Sequence, residues 1–183
     1  MRYSLNGRIV ADDDAPVLRW WGLSAVCPAD IRQAIAENPA DEEFTLEINS
    51  PGGSVFAGFE MYSVLRRASR DGVRIRAEVQ SLAGSAASVA MVGADTVACS
   101  PVAQVMIHLP STVTEGNQNV HRESVQMLES ITEGIIAGYE RKVGNKTSPA
   151  ALRRLMDREA FLPARTALDA GLVDEIIEEP QSG

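Results

Sequence analysis

The strongest constraint on this chain is an alternation of two repeats. Segments with the character of strands take turns with segments carrying a helical repeat. Phe44 to Ile48 reads as a strand. After the Ser50-Pro51-Gly52-Gly53 turn, Val55 to Arg70 reads as a helix, with Phe56, Phe59, Tyr62 and Leu65 at three-residue steps. Val73 to Val79 alternates apolar and polar residues, as a strand does. Ala83 to Gly93 is a run of small residues that suits a buried helix, and Gln104 to Leu109 is a second apolar strand. Asn117 to Val143 carries a long helical pattern with Leu128, Ile131, Ile135 and Tyr139 on one stripe. Ser148-Pro149 opens a further helix, with serine as cap and proline at the first helical position. Thr166 to Ala170 reads as a short helix closed by Gly171, and Val173 to Ile177 as a last strand. Strand and helix in turn predict an α/β fold, with a mostly parallel sheet covered by helices.

The amino-terminal stretch carries weaker signals. Val17 to Trp21 reads as a strand, and Pro28 begins a helix to about Asn38. Asp12-Asp13-Asp14 reads as a solvated acidic turn rather than a metal site.

With 183 residues the chain is long enough for one domain with a proper core and short for two. Its net charge of −8 argues against phosphate-backbone binding, which calls for a basic face. No basic head precedes a long apolar run, and no window approaches a membrane span, so a soluble, cytoplasmic protein is expected. Cys27 and Cys99 have no metal-ligand neighbours and read as free buried thiols.

Four segments carry candidate chemistry. In Ile48-Asn49-Ser50-Pro51-Gly52-Gly53 the paired glycines allow a tight turn with bare backbone N–H groups, which suits an oxyanion as well as a plain strand–helix turn. Ala83-Gly84-Ser85-Ala86-Ala87-Ser88 places hydroxyls near a helix start, where an attacking serine would sit, although close helix packing explains small residues too. It contains no Gly-x-Ser-x-Gly elbow. His108 ends an apolar strand, as a core histidine or a general base would. His121 lies among polar residues of the long helix. Asp157-Arg158-Glu159-Ala160-Phe161-Leu162 offers a carboxylate to orient a histidine.

As an ordered set these segments resemble the Clp protease proteolytic subunit (ClpP) family. The order is Ile-Asn-Ser-Pro-Gly-Gly, Ala-Ala-Ser, Val-Met-Ile-His-x-Pro, an acid before Phe-Leu, and Ala-Leu-x-x-Gly-Leu-Val-Asp, covering about Glu43 to Ile177. The resemblance implies a ClpP/crotonase-like fold of repeated ββα-type units over residues 1–183, with residues 117–143 as a protruding handle helix packed between stacked rings. It implies a serine endopeptidase with Ser88 as nucleophile and His108 as base. Glu159 falls where founding members have Asp, with Asp157 as the fallback. The backbone N–H groups of Gly53 and Val89 would form the oxyanion hole, and no metal or organic cofactor is implied.

The resemblance also implies a homo-oligomeric ring, a heptamer or double ring, acting on protein or peptide substrates, and no nucleic-acid or membrane partner. The segment from Ser88 to His108 is shorter than in housekeeping subunits, and the stretch before the first strand is short, which argues against a dedicated ATPase partner. These points, with Phe-Glu-Met-Tyr after the glycine turn and Glu-Ala-Phe-Leu near the end, resemble the phage and prophage branch that acts in prohead maturation. Its place would be the host cytoplasm or the prohead, with general protein degradation as the other role. Two other readings stand beside the peptidase: a crotonase-like acyl-CoA enzyme, and an inactive ring-forming scaffold of the same fold.

Overall fold

The computed structural model describes residues 1–39 and 41–177. Its elements run β1 (Arg2–Ile9), α1 (Ala15–Trp20), β2 (Ala25–Val26), α2 (Pro28–Ala36), β3 (Phe44–Gly53), α3 (Val55–Arg70), β4 (Ile75–Gly84) and α4 (Ala86–Met91). Then follow β5 (Thr96–Cys99), β6 (Gln104–Ile107), α5 (Gln118–Val143), α6 (Pro149–Asp157), β7 (Ala160–Pro163), α7 (Ala164–Ala170) and β8 (Glu175–Ile176). The strands form one sheet in the order β2-β1-β3-β4-β5-β8, with β6 joined to β4 and β7 to β6. Every pairing is parallel except β6 with β7. This is the expected α/β architecture, a mostly parallel sheet with helices between its strands.

The sheet is apolar where it meets the helices. Phe44, Leu46 and Ile48 of β3 are fully buried, as are Ile75, Ala77 and Val79 of β4. Helix α3 packs Ala57, Met61, Leu65 and Ala68 into the same core. The expected aromatic stripe on α3 is therefore only partly buried. Three-residue steps drift around a helix, so Phe56 falls outside the core and is 63% exposed. Elsewhere on the sheet Glu78 bridges Arg2 and Arg76, at 2.8 Å to each.

Helix α5 is divided along its length. Its first half is mostly exposed, while Ile131, Ile135, Tyr139 and Val143 are buried. Asn117 caps it by accepting hydrogen bonds from the N–H groups of Asn119 and Val120. Ser148 caps α6 and Gly171 closes α7 in the left-handed conformation, as the sequence predicts.

The amino-terminal reading needs correction. Residues 15–20 form helix α1, not a strand, and β1 precedes it where no element was expected. Pro16 at the helix start and the Trp21 N–H closing back on Val17 and Leu18 outweigh the β-preference of Val17 and the tryptophans. Asp12 does lie in a turn, but it accepts from the Ala29 N–H at 2.8 Å and pairs with Arg32, so it ties the turn to α2.

Candidate active site

Two neighbouring strands bring the site together. β4 ends at Gly84, which pairs with Met106 of β6, so Ser85 and His108 leave the sheet at the same end. The Ser85 N–H donates to the Met106 carbonyl at 2.8 Å, carrying the ladder one residue past the strand. Across β6 the antiparallel register ends on Ile107 opposite Ala160, and the next step sets Glu159 opposite His108. Topology alone thus gathers a serine, a histidine and a carboxylate far apart in sequence.

The side chains meet accordingly. His108 Nε2 lies 2.7 Å from Ser85 Oγ. His108 Nδ1 lies 3.6 Å from Glu159 Oε1. With the ring's proton on Nδ1, facing the carboxylate, Nε2 is left as acceptor for the serine hydroxyl. Glu159 is largely exposed and has a positive φ of +50°.

Ser85 itself has φ +52° and ψ −123°. A non-glycine residue held there stores on the order of 1–3 kcal/mol of strain, and such residues cluster at functional sites. The glycine turn at the end of β3 abuts it. A Cβ on Gly52, whose φ is +95°, would stand 2.6 Å from the Gly84 carbonyl oxygen and 2.8 Å from Ser85 Cβ. Gly53 has φ +150° and lines the same cleft.

Ser88 does not join this group. It sits in the first turn of α4, fully buried, and its hydroxyl donates to the Ser85 carbonyl at 2.6 Å and lies 2.7 Å from Tyr139 Oη. The Val89 N–H is also turned inward, onto the Ser85 carbonyl at 3.4 Å. The residue that follows Ser85 is Ala86, which opens α4 and has no carbonyl one turn back to donate to. Asp157 ends α6 and lines a separate hollow with Arg154 and Arg158, apart from His108. His121 is bound to Thr114 at 2.9 Å, also elsewhere.

Ser88 was singled out by matching the family's Ala-Ala-Ser motif to Ala86-Ala87-Ser88, while the small-residue run Ala83 to Gly93 was read as a buried helix. The strand instead runs on to Gly84 and the helix begins at Ala86. The missed signal was the Gly84-Ser85 pair, a flexible residue followed by a hydroxyl where strand becomes helix.

The cleft above these groups holds about 430 Å³ and has an apolar wall of Val55, Phe56, Val89, Leu128, Ile131 and Ile135. It suits an apolar side chain beside a polar reacting centre. Among the described residues no group of three His, Cys, Asp or Glu comes together to hold a metal, and no helix is long and apolar enough to cross a membrane.

The family model for Clp protease matches residues 32–180. The chain belongs to the Clp protease family. It is 30% identical over 140 residues to an ATP-dependent Clp protease proteolytic subunit from Pleurastrum terricola, covering 75% of this chain and 69% of that one. Membership makes the chain a ClpP-like peptidase. The matched span begins inside α2 and includes Gly53, Ser85, His108 and Glu159, while β1, α1 and β2 lie before it.

Proposed function

We propose that this chain is a serine endopeptidase in which Ser85, rather than Ser88, is the nucleophile. The observation that carries the reading is the 2.7 Å contact of His108 Nε2 with Ser85 Oγ on a residue held at positive φ. His108 takes the Ser85 proton as the hydroxyl attacks a peptide carbonyl, and then gives it to the leaving amine. Water repeats the cycle on the acyl-enzyme and restores Ser85. Glu159 holds the Nδ1–H tautomer. The backbone N–H groups of Gly53 and Ala86 receive the oxyanion, Ala86 taking the place that motif matching gave to Val89.

The test is covalent. A fluorophosphonate probe, followed by peptide mapping, marks Ser85 in the wild type and in Ser88→Ala, and leaves Ser85→Ala unmarked. A label on Ser88, or none on assembled protein, overturns the assignment.

The chain acts as a single peptidase domain on protein or peptide substrates, within a homo-oligomeric ring. Val120 and Met127, seven residues apart on one face of the exposed half of α5, support this as apolar side chains open to a ring contact. Of the two settings, prohead maturation is favoured by the Phe-Glu-Met-Tyr and Glu-Ala-Phe-Leu segments. Incubation with a co-expressed capsid or scaffold protein, followed by mass spectrometry, tests it: intact termini on that protein, with peptide turnover retained, reject that setting.

A further inference from the structure

The buried hydroxyls of Ser88 and Tyr139 have no part in the mechanism above, yet they touch its most strained residue. Ser88 is fully enclosed, and Tyr139, from the buried half of α5, is 1% exposed. A serine hydroxyl has one proton. Ser88 spends it on the Ser85 carbonyl at 2.6 Å, which has no proton to offer in return. The 2.7 Å bond between the two hydroxyls must therefore run from Tyr139 to Ser88. Burial pushes the Tyr139 phenol well above its ordinary range, so it keeps the proton it donates. The result is a one-way chain, Tyr139 to Ser88 to the Ser85 carbonyl.

That carbonyl belongs to the peptide unit joining Ser85 to Ala86. The unit is trans and planar, so its C=O and N–H point in opposite directions. The oxygen is held inward by the Ser88 N–H at 2.9 Å, the Val89 N–H at 3.4 Å and the Ser88 hydroxyl, which aims the Ala86 N–H outward, toward the cleft. The amide on the other side of Ser85 is held by the Met106 carbonyl. Both peptide units around Ser85 are thus fixed from outside, as a residue at φ +52° requires.

We infer that Ser88 and Tyr139 are a positioning pair, which fixes the Ser85–Ala86 peptide so that the Ala86 N–H is preset as an oxyanion donor. The inference rests on Ser85 as nucleophile. It assigns the Ser of the Ala-Ala-Ser motif a role in orientation, and it makes a residue of the long helix part of the site's precision. Neither hydroxyl touches substrate.

The test uses assembled full-length protein and a fluorogenic peptide, with rates expressed per site titrated by a fluorophosphonate burst. Outright loss of an oxyanion donor costs about 10²–10³ in kcat; Ser88→Ala keeps the donor and its backbone bonds and is expected to lower kcat by about tenfold, and Tyr139→Phe by about fivefold. KM should stay within about twofold, and the pH–rate midpoint should not move, because His108 and its partners are untouched. The double variant should be no worse than Ser88→Ala, since Tyr139 acts only through Ser88. Tyr139→Phe removes one oxygen and keeps the ring, so it carries the test even where Ser88→Ala does not assemble. A kcat per titrated site within twofold of wild type in Tyr139→Phe overturns the inference. So do losses that multiply in the double variant, or a KM that rises in step. A label on Ser88 in the Ser85→Ala protein instead overturns the nucleophile assignment beneath it.

Discussion

Two strand–helix junctions meet at the cleft, and they solve the same backbone problem differently. At the end of β3 the positive φ values fall on Gly52 and Gly53, where they cost little, and the side chains around them serve the backbone. Ser50 donates to the Gly7 carbonyl at 2.6 Å and accepts from the Gly52 N–H, while Ser54 caps α3. At the end of β4 the positive φ falls on Ser85, where it is strained. The difference follows from what each junction must present. A bare N–H needs no side chain, so glycine stands there. A hydroxyl needs a Cβ to hang from, so strain is accepted, and bonds from Met106 and Ser88 hold the residue in place.

Replacing the strained residue gives the largest expected effect. Ser85→Ala and Ser85→Gly should each lose at least about 10⁴-fold in peptide hydrolysis. The two should differ in stability: glycine relieves the strain, so Ser85→Gly should melt a few degrees above Ser85→Ala in calorimetry. Equal melting points would show that the β4 junction is unstrained and erase the contrast. Next comes the glycine side. Gly52→Ala forces a Cβ against the Gly84 carbonyl and Ser85, and should cost about 10²-fold in kcat by displacing the nucleophile. Gly22→Ala is the control, because Gly22 also has positive φ but nothing within 4 Å, so activity should hold.

Smaller effects sharpen the picture around the base. Glu159→Gln should lower kcat by about tenfold, a modest loss because the carboxylate is exposed and 3.6 Å from the ring. Asp157→Asn should stay within about twofold; a reversal of the two would move the third member to Asp157. The smallest effect lies at the opposite end of β4. Burial works to raise the Asp95 carboxyl, but its bonds to Ser69, the Ile75 N–H and Arg66 outweigh that and hold it below its usual 3.8. A depressed carboxylate adds stability above its unfolded pKa, and that contribution fades as pH falls through the folded one. Asp95→Asn should therefore lower the melting point by roughly 2–4 °C at pH 7, with the gap closing below about pH 4.

Much of this was legible because local signals agreed. α3 begins and ends where the periodicity puts it, and Asn117, Ser148 and Gly171 mark helix ends by their own chemistry. His108 was legible at the end of an apolar strand, but Glu159 came only from the family resemblance, and only the antiparallel pairing of β6 and β7 sets the two opposite each other. Motif matching pointed to Ser88, whereas the geometry favours Ser85, and the run itself could not arbitrate for a physical reason. In a run of small residues nothing in the side chains marks where strand becomes helix, and that boundary decides which serine faces out. α1 was missed because its helical start rests on a proline and on turn bonds rather than on an apolar stripe.

The strand β4 has one more consequence. Its first half pairs with β5 and its last three residues with β6, so one strand serves two partners in succession. Ser85 hangs from the broad sheet, whereas His108 and Glu159 belong to the two-stranded β6–β7 ribbon. The proposed reacting groups therefore straddle a seam sewn by three residue pairs, Leu82 with Gln104, Ala83 with Val105 and Gly84 with Met106. Whatever loosens those three pairs would part the proposed nucleophile from its base and carboxylate together.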